Sequence, residues 1–241
     1  MEKLISPKMI FLYILIIFST SIIFKNNNIN NITYLNIGDG YAKGLDSFGI
    51  NRYGYGDYLR DKLKDNNELK DYINYFTSND MTIEKVENLI SNSTYCVSKE
   101  QKKSFKGYLQ EADLLTLSIG LNDLKYTFLS VEEIDSTKMN SALQEVENKF
   151  NKLITEIKKY YKYDIYVIGY PINNLDSYYL SMSIRKYNEY LENNKNIIYI
   201  SPKQLDSNFF LNPKTNYYNI EGHKLISDAI YKTYEKSLKN K

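Results

Sequence analysis

Two short segments, Leu114-Leu115-Thr116-Leu117-Ser118-Ile119 and Ile165-Tyr166-Val167-Ile168, are uncharged and apolar-rich at successive positions. Side chains alternate sides along a β-strand, so such segments bury both faces, as the central strands of a helix-covered parallel sheet do. The pattern predicts strands over Thr33–Ile37, Tyr72–Thr77, Leu114–Ile119, Asp164–Gly169 and Asn196–Ile200. Helical patterns lie between and after them, at Gly56–Lys64, Thr82–Ile90, around Glu100–Glu111, and at Met139–Tyr161, Ser181–Asn193 and Glu221–Leu238. In the longest, Leu143, Val146, Phe150, Leu153 and Ile157 recur at three- and four-residue steps and form one apolar stripe. Strands alternating with helices imply an α/β fold with a parallel sheet and helices on both faces. Ligand sites in such sheets gather at the carboxyl ends of the strands.

The chain has 241 residues, enough for one domain and a short appendage. Its 31 Lys+Arg against 29 Asp+Glu leave a net charge of +2, so it has no basic field to gather nucleic acid. Cys96 is the single cysteine, which excludes an intramolecular disulfide and a Cys-based zinc site. No metal or other cofactor is expected. Arg is rare, Trp is absent, and Asn, Ile, Lys and Tyr are abundant, the bias that an A+T-rich genome imposes. Most of the 25 tyrosines are therefore background.

The appendage is the N-terminus. Met9 to Phe24 form a 16-residue uncharged run between Lys8 and Lys25. As a helix it would span roughly 24 Å, a little short of a hydrocarbon core, which suits a short anchor with snorkelling lysines. No small-residue cleavage site follows, so an uncleaved anchor is favoured over a cleaved signal peptide. Lys3 and Lys8 precede the run, favouring an internal N-terminus with the rest of the chain outside. The expected organisation is a leader and anchor over residues 1–24, a polar linker over 25–32 and one domain over 33–241.

The strand ends carry the informative motifs. The first strand runs into Gly38-Asp39-Gly40, the third into Gly120-Leu121-Asn122-Asp123 and the fourth into Gly169-Tyr170-Pro171, and near the C-terminus comes Asn219-Ile220-Glu221-Gly222-His223. In order and spacing these segments resemble the SGNH/GDSL hydrolases, esterases and acylhydrolases of bacterial and other origin. The resemblance spans Tyr34 to Leu238 and implies a three-layer α/β/α fold with a flavodoxin-like parallel sheet.

The same resemblance shows what is missing. The family's nucleophilic Ser falls on Gly40, its Asp on Lys214 and its His on Tyr217. Of the oxyanion-hole positions, the nucleophile's N–H falls on Gly40, the second-strand Gly on Asn79, and the Asn is retained as Asn122. In a serine hydrolase, removing the nucleophile or the base alone costs about 10⁶-fold in turnover. A chain lacking the whole triad sits near the floor set by binding alone. Gly38, Asp39, Gly120, Asp123, Gly222 and His223 have structural readings as turn, cap and helix-start residues. Ser47 reads as a loop serine, and His223, the single imidazole, lies six residues beyond the family's catalytic His.

The expected function is a membrane-anchored, extracytoplasmic binding or scaffolding module of the cell envelope. It would hold an envelope ester, glycan or lipid, or act as an inactive partner of a working hydrolase. The alternative is an active esterase or acylhydrolase on lipid, peptidoglycan or polysaccharide esters. That alternative requires a Ser or Asp within hydrogen-bond reach of His223 and close to Asn122.

Overall fold

The computed structural model describes residues 31–46, 48–92, 95–97, 102–129, 135–172, 177–202 and 217–239. Five parallel strands form the central sheet: β1 (Ile32–Gly38), β2 (Leu69–Thr77), β5 (Leu114–Ser118), β6 (Ile165–Ile168) and β7 (Ile198–Ile200). Their spatial order is β2-β1-β5-β6-β7, which in chain order is the flavodoxin-like 2-1-3-4-5. The helices are α1 (Gly40–Lys43), α2 (Tyr55–Asp65), α3 (Ile83–Ser91), α4 (Phe105–Glu111), α5 (Leu121–Leu129), α6 (Ser136–Lys158), α7 (Tyr178–Asn193) and α8 (Ile220–Lys239).

The sequence pattern and the fold agree for a physical reason. Every residue of β1, β5 and β6 is buried, because helices cover both faces of the sheet. One group of helices pairs α2 with α8, and the other joins α3, α6 and α7. Because crossovers between parallel strands are right-handed as a rule, the reversal of direction at β1 puts these two groups on opposite sides. The apolar stripe of α6 is buried as expected, including Leu143, Val146, Phe150, Leu153 and Ile157.

One sequence expectation is corrected. The helix around Glu100–Glu111 begins only at Phe105, and the segment before it forms an antiparallel pair, β3 (Tyr95–Val97) with β4 (Lys102–Ser104). Ser104 sets the boundary, since its side chain accepts from the Gly107 N–H at 3.2 Å and caps α4. The four-residue α1 is too brief for a periodic signature, and α5 follows the Gly120-Leu121-Asn122-Asp123 motif; the sequence pattern predicts neither. Among the described residues no helix is long and apolar enough to cross a membrane, and the 9–24 run lies outside them.

Candidate active site

The reversal of strand order falls between β1 and β5, which stay paired through Gly38 and Ser118, so the connections leaving their carboxyl ends run in opposite directions and leave the crevice where doubly wound sheets bind ligands. Gly38-Asp39-Gly40 ends β1 and Gly120-Leu121-Asn122-Asp123 follows β5, which brings both motifs to this crevice. Two glycines are fixed by it. At Gly38 (φ +153°) an added β-carbon would lie 2.4 Å from the Ser118 carbonyl oxygen, and at Gly120 (φ +110°) it would lie 2.4 Å from the Tyr187 hydroxyl.

Asp39 is 2% exposed and ties three strand ends together. Its Oδ1 accepts from the Tyr41 N–H at 3.0 Å and from the Ser118 hydroxyl at 2.8 Å. Its Oδ2 accepts from the Tyr170 hydroxyl, beyond β6, at 2.6 Å. Burial pushes its pKa up from 3.8 to about 6, against the pull of these three donors. With both oxygens taken, the carboxylate is a clamp. Ser118 and Tyr170 are the partners that sequence reading missed, because neither stands out in a tyrosine-rich chain.

Gly40, on which the sequence resemblance puts the nucleophile, offers no side chain, and its surroundings are filled. A β-carbon there would lie 3.2 Å from Leu45 Cδ2 and 3.4 Å from Tyr217 Cε1. Tyr217 thus reaches position 40 from the C-terminal segment, with its ring centroid 5.2 Å from that of Tyr41. Burial, and then the nearby Asp39 charge, raise the Tyr217 pKa, so it stays a neutral phenol at neutral pH. Lys214 and Ser47 lie outside the described residues.

Asn122 Nδ2 donates to the backbone carbonyls of Asn79, at 3.0 Å, and Met81, at 2.9 Å. Both amide hydrogens are thereby used to hold the β2–α3 loop. The assignment of O and N is secure on chemical grounds, since the flipped amide would face two carbonyls with an oxygen. Asp123 accepts from the Ile83 N–H at 3.2 Å and supports the start of α3, where Thr82 is the N-cap.

His223 is 4% exposed, in the first turns of α8, and meets the Tyr218 ring edge-on at 5.4 Å. Burial drops its pKa from 6.5 to about 4, so it is neutral at pH 7. Its Nδ1 has no hydrogen-bond partner among the described residues, and no Ser or Asp orients it as a base there. Gly222 donates its N–H to Asn219 Oδ1 at 2.9 Å, completing the helix start. Among the described residues no group of His, Cys, Asp and Glu is placed to hold a metal ion.

Residues 34–230 match the profile of the GDSL-like Lipase/Acylhydrolase family. No curated protein matches the chain in sequence. Among solved structures, the lipase Lip_vut3 from a goat rumen metagenome superposes with a TM-score of 0.66 at 14% identity, over 83% of this chain and 96% of that one. A catalytic mutant of Axe2, an acetylxylan esterase from Geobacillus stearothermophilus, gives 0.59 at 16%, over 85% and 94%. The lipase/acylhydrolase from Enterococcus faecalis gives 0.56 at 13%, over 86% and 96%. At these identities the structural likeness shows a shared fold.

Proposed function

The chain belongs to the GDSL-like lipase/acylhydrolase family, and from that premise we propose that it binds a ligand at the cell envelope without hydrolysing an ester through a serine triad. The observation that carries this reading is the contact between Tyr217 and Gly40. An aromatic carbon stands 3.4 Å from where a β-carbon on Gly40 would lie, at the place where a serine hydroxyl and its imidazole base would have to meet. Two further observations support it. The Asn122 amide, the family's side-chain oxyanion donor, is spent on two carbonyls. His223 is buried and lacks an orienting acid on Nδ1 among the described residues. With nucleophile, base and one oxyanion donor absent together, even the roughly 10³ to 10⁴ over water that a serine hydrolase without its triad keeps through its oxyanion hole and binding is forfeited.

The apolar run over residues 9–24 supports placing the domain outside the cytoplasm on an uncleaved anchor. Two experiments test the reading. Purified full chain is assayed against short-chain acyl esters, where turnover at the buffer rate is expected and turnover well above it contradicts the proposal. Cells expressing the chain are fractionated and treated with external protease. The account requires the protein in the membrane fraction with its domain accessible from outside; recovery in the soluble cytoplasm contradicts the anchor.

A further inference from the structure

Gly44, Asp46, Phe48, Arg52 and Tyr53, with the start of α8, line an open groove of about 500 Å³ beside the Gly40 crevice, within the range of small-ligand sites. It adjoins that crevice through Leu45, whose Cβ would lie 3.3 Å from a β-carbon on Gly40, and through Tyr218, next to Tyr217. Exposed large apolar side chains gather here: Phe48 is 81% exposed, Ile220 59% and Tyr53 51%, and all three line the groove. A soluble domain rarely leaves such a patch uncovered without a use for it.

Local hydrogen bonds hold the patch in place. Asp46 Oδ1 accepts from the N–H groups of Phe48 and Ile50, both at 2.9 Å, and the Leu45–Asn51 bridge closes the loop. The Arg60 guanidinium lies 5.2 Å over the Tyr53 ring and also donates to its hydroxyl at 3.0 Å, while Tyr58 meets the ring edge-on. Preorganised aromatic faces of this kind bind with little loss of side-chain freedom. The ionic groups lining the groove are paired already: Asp46 with Arg52 at 2.6 Å, and Glu221 with Lys224 at 2.9 Å. A charged ligand would have to break these pairs. A neutral ligand rich in hydroxyls can use their remaining lone pairs and hydrogens as they stand. An acyl chain calls for an enclosed apolar channel, whereas here the apolar faces are open and flat.

We propose that this groove binds a neutral saccharide, with Phe48 and Tyr53 stacking on its rings and the paired Asp46, Arg52 and Glu221 meeting its hydroxyls. The proposal rests on the reading of the domain as a binding module and names its ligand class. The test is calorimetric titration of the full chain with three unesterified probes, cellohexaose, chitohexaose and xylohexaose, and with 1-decanol as the acyl-chain comparison. At least one hexasaccharide should bind, with little change at about 0.5 M NaCl, and Phe48→Ala and Tyr53→Ala should each weaken it about tenfold. Phe48 is so exposed that its truncation leaves the fold intact. The proposal is overturned if none of the three sugars binds, if both variants bind as the parent does, or if 1-decanol alone binds and depends on Phe48. Because the probes carry no ester, ester turnover by the parent chain would overturn the inert-site reading without altering this result.

Discussion

Tyr217 holds its Cε1 3.4 Å from the place a β-carbon would occupy on Gly40. On the proposed reading the two residues stand where the family keeps base and nucleophile, and a side chain on residue 40 would meet the Tyr217 ring in van der Waals contact. The contact is close without being prohibitive, so Gly40→Ser should fold, with a stability change within about 1 kcal/mol. It should not gain ester turnover, because no imidazole can take the hydroxyl proton. Thermal unfolding together with an ester assay checks both halves. Turnover appearing on this single change would mean that another group already serves as base.

The Asn122 amide acts as a latch on the β2–α3 loop. Asn122→Asp should cost more stability than Asn122→Ala, by about 1–3 kcal/mol, since a carboxylate would face the Asn79 and Met81 carbonyls. Amide hydrogen exchange over residues 78–83 should rise in both variants. Equal stabilities and unchanged exchange would show that the amide is not holding the loop.

Asp39 and His223 titrate with opposite consequences. The folded pKa of Asp39 is raised to about 6, so the native state holds the proton more tightly, and its stabilising effect is present below pH 3.8 and lost as pH rises through 6. The folded pKa of His223 is lowered to about 4, so its contribution is present above pH 6.5 and lost as pH falls through 4. Each amounts to something on the order of 3 kcal/mol, and across pH 4–6 the two oppose each other. Relative to the parent, Asp39→Asn should gain stability as pH rises from 4 to 6. His223→Gln should gain it as pH falls from 6.5 to 4. Urea unfolding at stepped pH reads both differences, and parallel slopes in the two variants would contradict the assignment.

Glycine substitutions separate strain from space. Gly120→Ala should lose about 3 kcal/mol or more, because the left-handed backbone and the Tyr187 hydroxyl both oppose a β-carbon. Gly49→Ala, at φ +75° with open space around it, should lose only about 1 kcal/mol. Similar losses at the two positions would mean that the Tyr187 contact is immaterial.

The sheet was legible because burial on both faces writes a two-sided apolar signature into Leu114–Ser118 and Ile165–Ile168. The β3–β4 pair was not, since three-residue strands display little more than one alternation and Lys102-Lys103-Ser104 carries no apolar position to mark it. At the site, Gly40 and Tyr217 are singled out by the motif resemblance, and the structure places the Tyr217 ring 3.4 Å from where a β-carbon on Gly40 would lie. The Asp39 clamp could not be read. Its partners Ser118 and Tyr170 come from separate strand ends, 79 and 131 residues away, and no local spacing connects them. The Asn122 latch was hidden likewise, because the motif fixes the residue and only the fold decides which acceptors its amide meets.

The central claim is that no serine of this chain is an activated nucleophile, and the most direct measurement is labelling of the purified full chain by a serine-directed fluorophosphonate, read by intact mass alongside short-chain ester turnover. The account predicts an unmodified mass and turnover at the buffer rate. A stoichiometric adduct on Ser47 or any other serine, with turnover abolished by that serine's change to Ala or by His223→Ala, would contradict it.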